Sequence, residues 1–262
     1  MEPQPKTIEE HRDYLYGIVR LKLFFLHGFL NKHPEEKFAD ALRNRVDIYR
    51  KTSANRGLLN PTEFFYDVEP WVSMECKTGE LFELYKNDVA AFENAAFEVF
   101  KPSIDERLEK DFADKSGLAG YQCGSIRHEN ENRHDPDTIH FHIANAVCPH
   151  SIFDDPNHLR DCLLQLCDHV EKDLGATKVA CGTWLNQNPK WLHYFPQEWR
   201  DHMSAPNTDV HWHYGFWGQF ISARGTLNRK YEKYLRETGE LPHYPCGSWC
   251  TVESLRTHLL SL

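Results

Sequence analysis

No stretch of the sequence is long and apolar enough to span a bilayer. The most apolar early run, "IVRLKLFFLHGFL", is interrupted by Arg20, Lys22 and His27 and is short of the roughly 20 residues a crossing helix needs. A secretory leader is not expected either, because "MEPQPKTIEEHRD" is acidic where a basic segment belongs. These absences predict a cytoplasmic protein whose 8 cysteines are reduced thiols. Positive charge is also in deficit. With 30 basic and 39 acidic residues the net charge is −9, which argues against nucleic acid or an anionic membrane surface as partner. There is no C-x-x-C pair, P-loop, Rossmann glycine set, G-x-S-x-G or H-E-x-x-H, so the common nucleotide, serine-hydrolase and zincin signatures are missing. Repeats and low-complexity segments are likewise missing.

What is present is a core-building composition. Aromatics make up 13% of 262 residues, enough to bury a substantial core and to argue against disorder. Residues 7–51 carry apolar side chains at helical spacing, with Thr7 as a cap and Pro34 near a restart. After the punctuated link "NPTEFFYDVEPW" the helical pattern returns over 78–112, with a bend or restart expected at Pro102. Beyond "DKSGLAG" the pattern changes to alternation. "YQCGSIRHE" and "TIHFHIAN" predict a hairpin, "TKVACGTWL" another strand, and "DVHWHYGF" a further one. "DDPNHLRDCLLQLCDHVEKDLG" has the acid, proline and glycine signals of a complete helix, with Cys162 and Cys167 as packing residues. "ELPHYPCGSWC" reads as a loop in which Cys246 and Cys250 are ordinary thiols. The last segment is a helix capped by Thr251. The expected class is α+β: a helical region over 1–117, then a region over 118–262 with a small mixed or antiparallel sheet and flanking helices, the two forming one compact unit.

The run from "TIHFHIA" through the helix to "VACGTWLNQNPKWLHYFP" resembles the C-terminal part of GNAT-like acyltransferase-domain proteins, in element order and in "TWL". The resemblance covers residues 138–196 and implies an acyltransferase fold. The acyl-CoA loop motif of that family is absent, so the likeness concerns fold ahead of chemistry.

Histidine is the outstanding residue. Eleven of the 16 lie between His128 and His213. Alternate residues of a strand share a face. His140 and His142 therefore face one way with Ile139, Phe141 and Ile143 opposite, and His211 and His213 do the same against Val210, Trp212 and Tyr214. If the two strands are neighbours, four imidazoles converge, since opposed Cβ atoms sit about 4.5–5.5 Å apart. Imidazole suits zinc, iron and copper. The expectation is a divalent metal, Fe2+ or Zn2+, held by His140, His142, His211 and His213, with Asp209 and Glu129 as proton-handling carboxylates. Trp184, Asn186, Trp212, Tyr214 and Arg224 would line an aromatic pocket for a small-molecule substrate. The function expected is a metal-dependent oxidoreductase, lyase or hydrolase. The alternatives are a metal-free GNAT-like acyltransferase and a non-catalytic small-molecule binding protein. A metal-free polar pocket or a solvated sheet face would place histidines on strands equally well. Cys148 and Cys181 are further candidates, as nucleophiles beside histidine.

Overall fold

The computed structural model describes residues 7–57, 63–114, 120–132 and 134–262. The first of its helices, α1 (Ile8–Lys32), starts in a capping box. Glu10 N–H donates to Thr7 Oγ1, and the Glu10 carboxylate accepts from Thr7 N–H. α2 (Phe38–Arg45), α3 (Trp71–Leu84) and α4 (Val89–Ala113) follow. α4 runs through Pro102 as one helix, so the expected restart does not occur. α1 and α4 pack along one another around Leu15, Ile18, Leu26, Phe97, Phe100 and Ile104, all buried. The switch point at "DKSGLAG" falls largely outside the described residues, but no strand precedes β1 among those described.

β1 (Ile126–His128), β2 (Thr138–Ile143), β3 (Lys178–Thr183) and β4 (Cys246–Thr251) form one mixed sheet in that order. β1 and β2 are antiparallel, β2 and β3 are parallel, and β3 and β4 are antiparallel. The parallel pair needs a crossover, and α5 (Pro156–Lys172) supplies it. Asp155 caps α5 and Pro156 fills its first turn. Two short helices, α6 (Pro189–Leu192) and α7 (Gln197–Asp201), follow β3. α8 (Arg229–Thr238) precedes β4, and α9 (Val252–Leu260) grows out of it on a Thr251 cap. Helices therefore flank a small sheet behind a helical front half, as α+β requires.

Two strand readings need correction. "DVHWHYGF" is not a strand. It holds short 3-10 turns over Trp212–Tyr214 and Phe216–Phe220, joined by Gly215 at φ +71°, a conformation glycine adopts without steric cost. Trp212 and Trp217 decide the matter, since their indole N–H groups donate to the carbonyls of Arg43 and Arg45. These two bonds anchor the loop to α2. The second correction is β4, which falls in a segment read as a loop. Its buried side chains alternate at Cys246, Ser248 and Cys250, and the three glycine and proline neighbours hid that period.

Among the described residues the apolar interior forms two clusters. One joins α1–α4 to Val210, Phe216, Trp217, Phe220, Leu227, Leu235 and Leu241. The other lies between one face of the sheet and α5, α6, α7 and α9. This division cuts across the expected boundary at residue 117.

Candidate metal centre

β2 carries the face assignment expected of it. Ile139 and Phe141 are buried, His140 is exposed and His142 half-buried. His142 Nε2 meets Glu129 Oε1 at 3.2 Å. Partial burial lowers the pKa of His142, and the Glu129 contact opposes that shift. His211 and His213 lie on the turn beside α2, their rings 5.5 Å apart. Burial lowers the pKa of His213. Asp209 pairs with Arg45, whose hydrogen bond holds the carboxylate below its usual range. The structure thus attaches one histidine pair to the sheet and the other to the helical half. The four do not form a ligand set among the described residues.

The expected aromatic pocket is also divided. Trp191, Phe195 and Trp199 belong to the sheet-side core, and Phe216 and Trp217 to the helical one. Trp184 stacks on His243, with ring centroids 6.0 Å apart. Tyr214 and Arg224 are exposed. Asn186 is fully engaged within the chain. Its Nδ2 donates to the carbonyls of Cys181 and Cys246, and its Oδ1 accepts from the indoles of Trp191 and Trp199. Cys181 is buried, and burial alone raises its thiol pKa, the reverse of what a nucleophile needs. Cys246 and Cys250 are both buried free thiols on one face of β4.

A different set converges. Cys123, His128 and His169 each offer one ligand atom, and these atoms all lie within 4.8 Å of one another, the one such set of three among the described residues. Local structure explains how each arrives. Cys123 closes a tight bridge with Ile126, exchanging both backbone hydrogen bonds at 3.0 Å. That turn aims β1 so that Ile126 and His128 face inward while Arg127 faces out. His128 sits opposite Phe141 in the register, which puts the ring on the core side against α5. His169 comes from the last turn of α5, on the stripe that also buries Cys162, Leu166 and Val170. Its ring crosses that of His128 edge-on.

Proton placement follows from the partners. His128 Nδ1 is 3.0 Å from the carbonyl of Glu129. A carbonyl only accepts, so this nitrogen carries the proton and a neutral ring directs its Nε2 lone pair at His169. His128 Nε2 to His169 Nδ1 is 3.1 Å, and Cys123 Sγ to His169 Nδ1 is 3.6 Å. For tetrahedral zinc, with Zn–N of about 2.0–2.1 Å and Zn–S of about 2.3 Å, the corresponding separations are about 3.3 Å and about 3.6 Å. The carbonyl of Glu129 stands where an orienting partner of a ligating histidine normally stands. Burial, with a smaller contribution from Cys162, pushes the Cys123 thiol up to about 11. A cation beside it would reverse that shift and hold the thiolate.

Beside this trio, His158 Nε2 is 2.8 Å from Ser125 Oγ and 3.8 Å from Cys162 Sγ. Ser125 N–H in turn donates to Cys162 Sγ at 3.4 Å. The second trio ties the same β1 turn to the first half of α5.

Sequence reasoning missed Cys123, His128 and His169 because they lie 5 and 41 residues apart on different elements. The available signal was His169 on the apolar stripe of an amphipathic helix, a costly place for imidazole without partners. No protein-family model matches the chain, and neither the curated proteins nor the solved structures contain a match to it.

Proposed function

We propose that this protein binds one divalent transition-metal ion, zinc foremost, through Cys123, His128 and His169, and acts as a metal-dependent enzyme on a small molecule. The observation that supports this reading is the agreement between the ligand-atom separations and tetrahedral N, N, S coordination. Without an ion the His169 Nδ1 proton serves His128 Nε2, and Cys123 Sγ is left a longer, weaker share of the same N–H. An ion satisfies all three lone pairs at once. The mixed thiolate and imidazole set favours zinc over the two-histidine, one-carboxylate arrangement typical of non-haem iron. Three protein ligands leave a fourth position open, which is the catalytic pattern for zinc, and His169 is only half-buried. At that position the ion would supply Lewis acidity and lower the pKa of a bound water. His128, fixed by the Glu129 carbonyl, and Cys123, fixed by its bridge to Ile126, would hold the site's shape.

Elemental analysis of the purified protein tests this. About one zinc per chain is expected, lost on chelation and regained on adding metal back. Cys123→Ser and His169→Ala should each lower the affinity by roughly a hundredfold or more, by analogy with the at least tenfold effect of changes outside the ligand shell. His140→Ala and His142→Ala should keep full occupancy. Metal lost from the His140 and His142 variants but retained by Cys123→Ser would return the site to the outer sheet face. Metal-free protein throughout would leave the trio as hydrogen-bonded core residues.

A further inference from the structure

α1 contains two glycines, and they have opposite surroundings. A Cβ on Gly17 would meet Leu227 Cδ2 at 2.9 Å, so close packing against the loop before α8 explains that residue. Gly79 in α3 lies similarly against Phe38, at 3.3 Å. Gly28 has nothing within 4 Å of its Cβ position. Glycine in a helix interior costs about 1 kcal/mol relative to alanine. At Gly28, four residues from the end of a 25-residue helix, no packing contact offsets that cost. The space above it is a cleft of about 330 Å3 between α1, the start of α4 and the end of α8. That volume lies at the small end of small-molecule sites, about 300–1,000 Å3.

The lining has two characters. Phe24, Phe25, Val89 and Leu235 make it apolar. Lys32 and Lys86 also line it, and no carboxylate does. Both lysine side chains are more than half exposed. Lys32 reaches Glu240 at 2.6 Å and Lys86 is 4.0 Å from Glu83. Asn31 is drawn toward the wall by donating to His27 Nδ1 and to the Lys86 carbonyl, and His27 Nε2 donates to the carbonyl of Tyr85. Those bonds fix the polar edge without covering the apolar floor.

We propose that this cleft is a binding site for a small organic anion, a carboxylate on an aliphatic or aromatic body, with Gly28 as its floor and Lys32 and Lys86 at its mouth. The apolar body removes the exposed faces of Phe24 and Val89 from water. The carboxylate exchanges the loose, solvent-exposed Lys86–Glu83 contact for a direct one. The site is independent of the Cys123, His128 and His169 centre, and its test stands or falls separately.

Calorimetric titration of the full chain with octanoate, and separately with octanol, is the experiment. Saturable octanoate binding is expected, about tenfold tighter than octanol. The Lys32→Gln/Lys86→Gln double variant should lose that preference while still binding octanol. Gly28→Leu fills the cleft and should abolish binding of both, with an unchanged circular dichroism spectrum and a raised thermal midpoint, as expected where leucine replaces glycine in a helix. Failure of octanoate to bind the parent saturably at millimolar concentration overturns the proposal. So does equal binding of octanol, or octanoate binding that a folded Gly28→Leu variant leaves unchanged. If Gly28→Leu does not fold, the lysine variant alone decides between the two outcomes.

Discussion

Replacing Asn186 with leucine is expected to destabilise the protein by about 3–5 kcal/mol, at the upper end for a single substitution. The side chain sits just past β3, almost wholly buried, where four groups converge on it. The indoles of Trp191 and Trp199 donate to its Oδ1 at 3.0 and 3.1 Å. Its Nδ2 bridges the carbonyls of Cys181 on β3 and Cys246 on β4 at 3.1 and 2.8 Å. Leucine has nearly the same size and no polar atom, so two indole N–H groups and two carbonyls lose a partner in a region closed to water. Each buried group left unpaired costs about 1–3 kcal/mol. Asn186→Asp is the informative companion. It keeps the acceptor for both indoles but loses the donor to both carbonyls and adds a buried charge, so it should also be strongly destabilising. Chemical denaturation of the two variants checks this. A loss under about 1 kcal/mol for leucine would show that the indoles find other acceptors.

The second large effect is expected at Asp47, between α2 and the turn at Tyr49–Lys51. Its carboxylate is buried and takes both ends of the Arg50 guanidinium at 2.6 Å, with Lys22 Nζ at 3.5 Å. Lys22, itself buried, also donates to the Asp47 carbonyl at 2.9 Å. Asp47→Ala would leave two cations near one another without their common partner, which costs about 3–5 kcal/mol in a buried pair. It would also place alanine at φ +45°, a region where asparagine and aspartate are tolerated better. Asp47→Asn keeps shape, backbone preference and one side-chain acceptor for Arg50 and Lys22, so it should lose less stability than Asp47→Ala. Burial by itself would raise the carboxyl's pKa. Arg50, Lys22 and Lys51 outweigh it, and the net direction is down. A carboxyl depressed in the folded state contributes stability that is complete above its unfolded value, near 3.9, and is lost as pH falls through the folded value. Denaturation midpoints measured from neutrality downward should therefore fall below about pH 4 in the parent, and by less in Asp47→Asn.

How much of this was legible depended on whether local pattern and tertiary role agreed. α5 was readable end to end because Asp155, Pro156 and the stripe of Leu159, Cys162, Leu163, Leu166 and Val170 all point to one helix. β2 was readable, faces included, because Ile139 and Phe141 pack while His140 stays in solvent. Residues 209–216 alternate as a strand does, yet the turn there brings Trp212, and Trp217 just beyond it, to carbonyls in the last turn of α2, more than 160 residues earlier. No local pattern carries that information. Asn186 looked like a ligand contact because a polar side chain at a strand end commonly is one. Its four partners come from four other elements, β3, α6, α7 and β4, and were invisible to spacing. The same holds for Cys123, His128 and His169, which only the β2–α5–β3 crossover brings together.

The return of residues 210–241 to the helical half has a consequence for a chain emerging from the ribosome. Synthesis is vectorial, at about 5–20 residues per second. α1–α4 are complete long before Phe216, Trp217, Phe220 and Leu235, which share their core, have been made. During that interval, of order ten seconds, the nascent helices present an unfinished apolar surface. The sheet-side segment up to Trp199 emerges in between, but β4 and α9, which complete its sheet and core, are made only after the strap, so both cores stay open until the last residues emerge. A ribosome-bound chain ending near residue 200 should accordingly be a chaperone client through both halves.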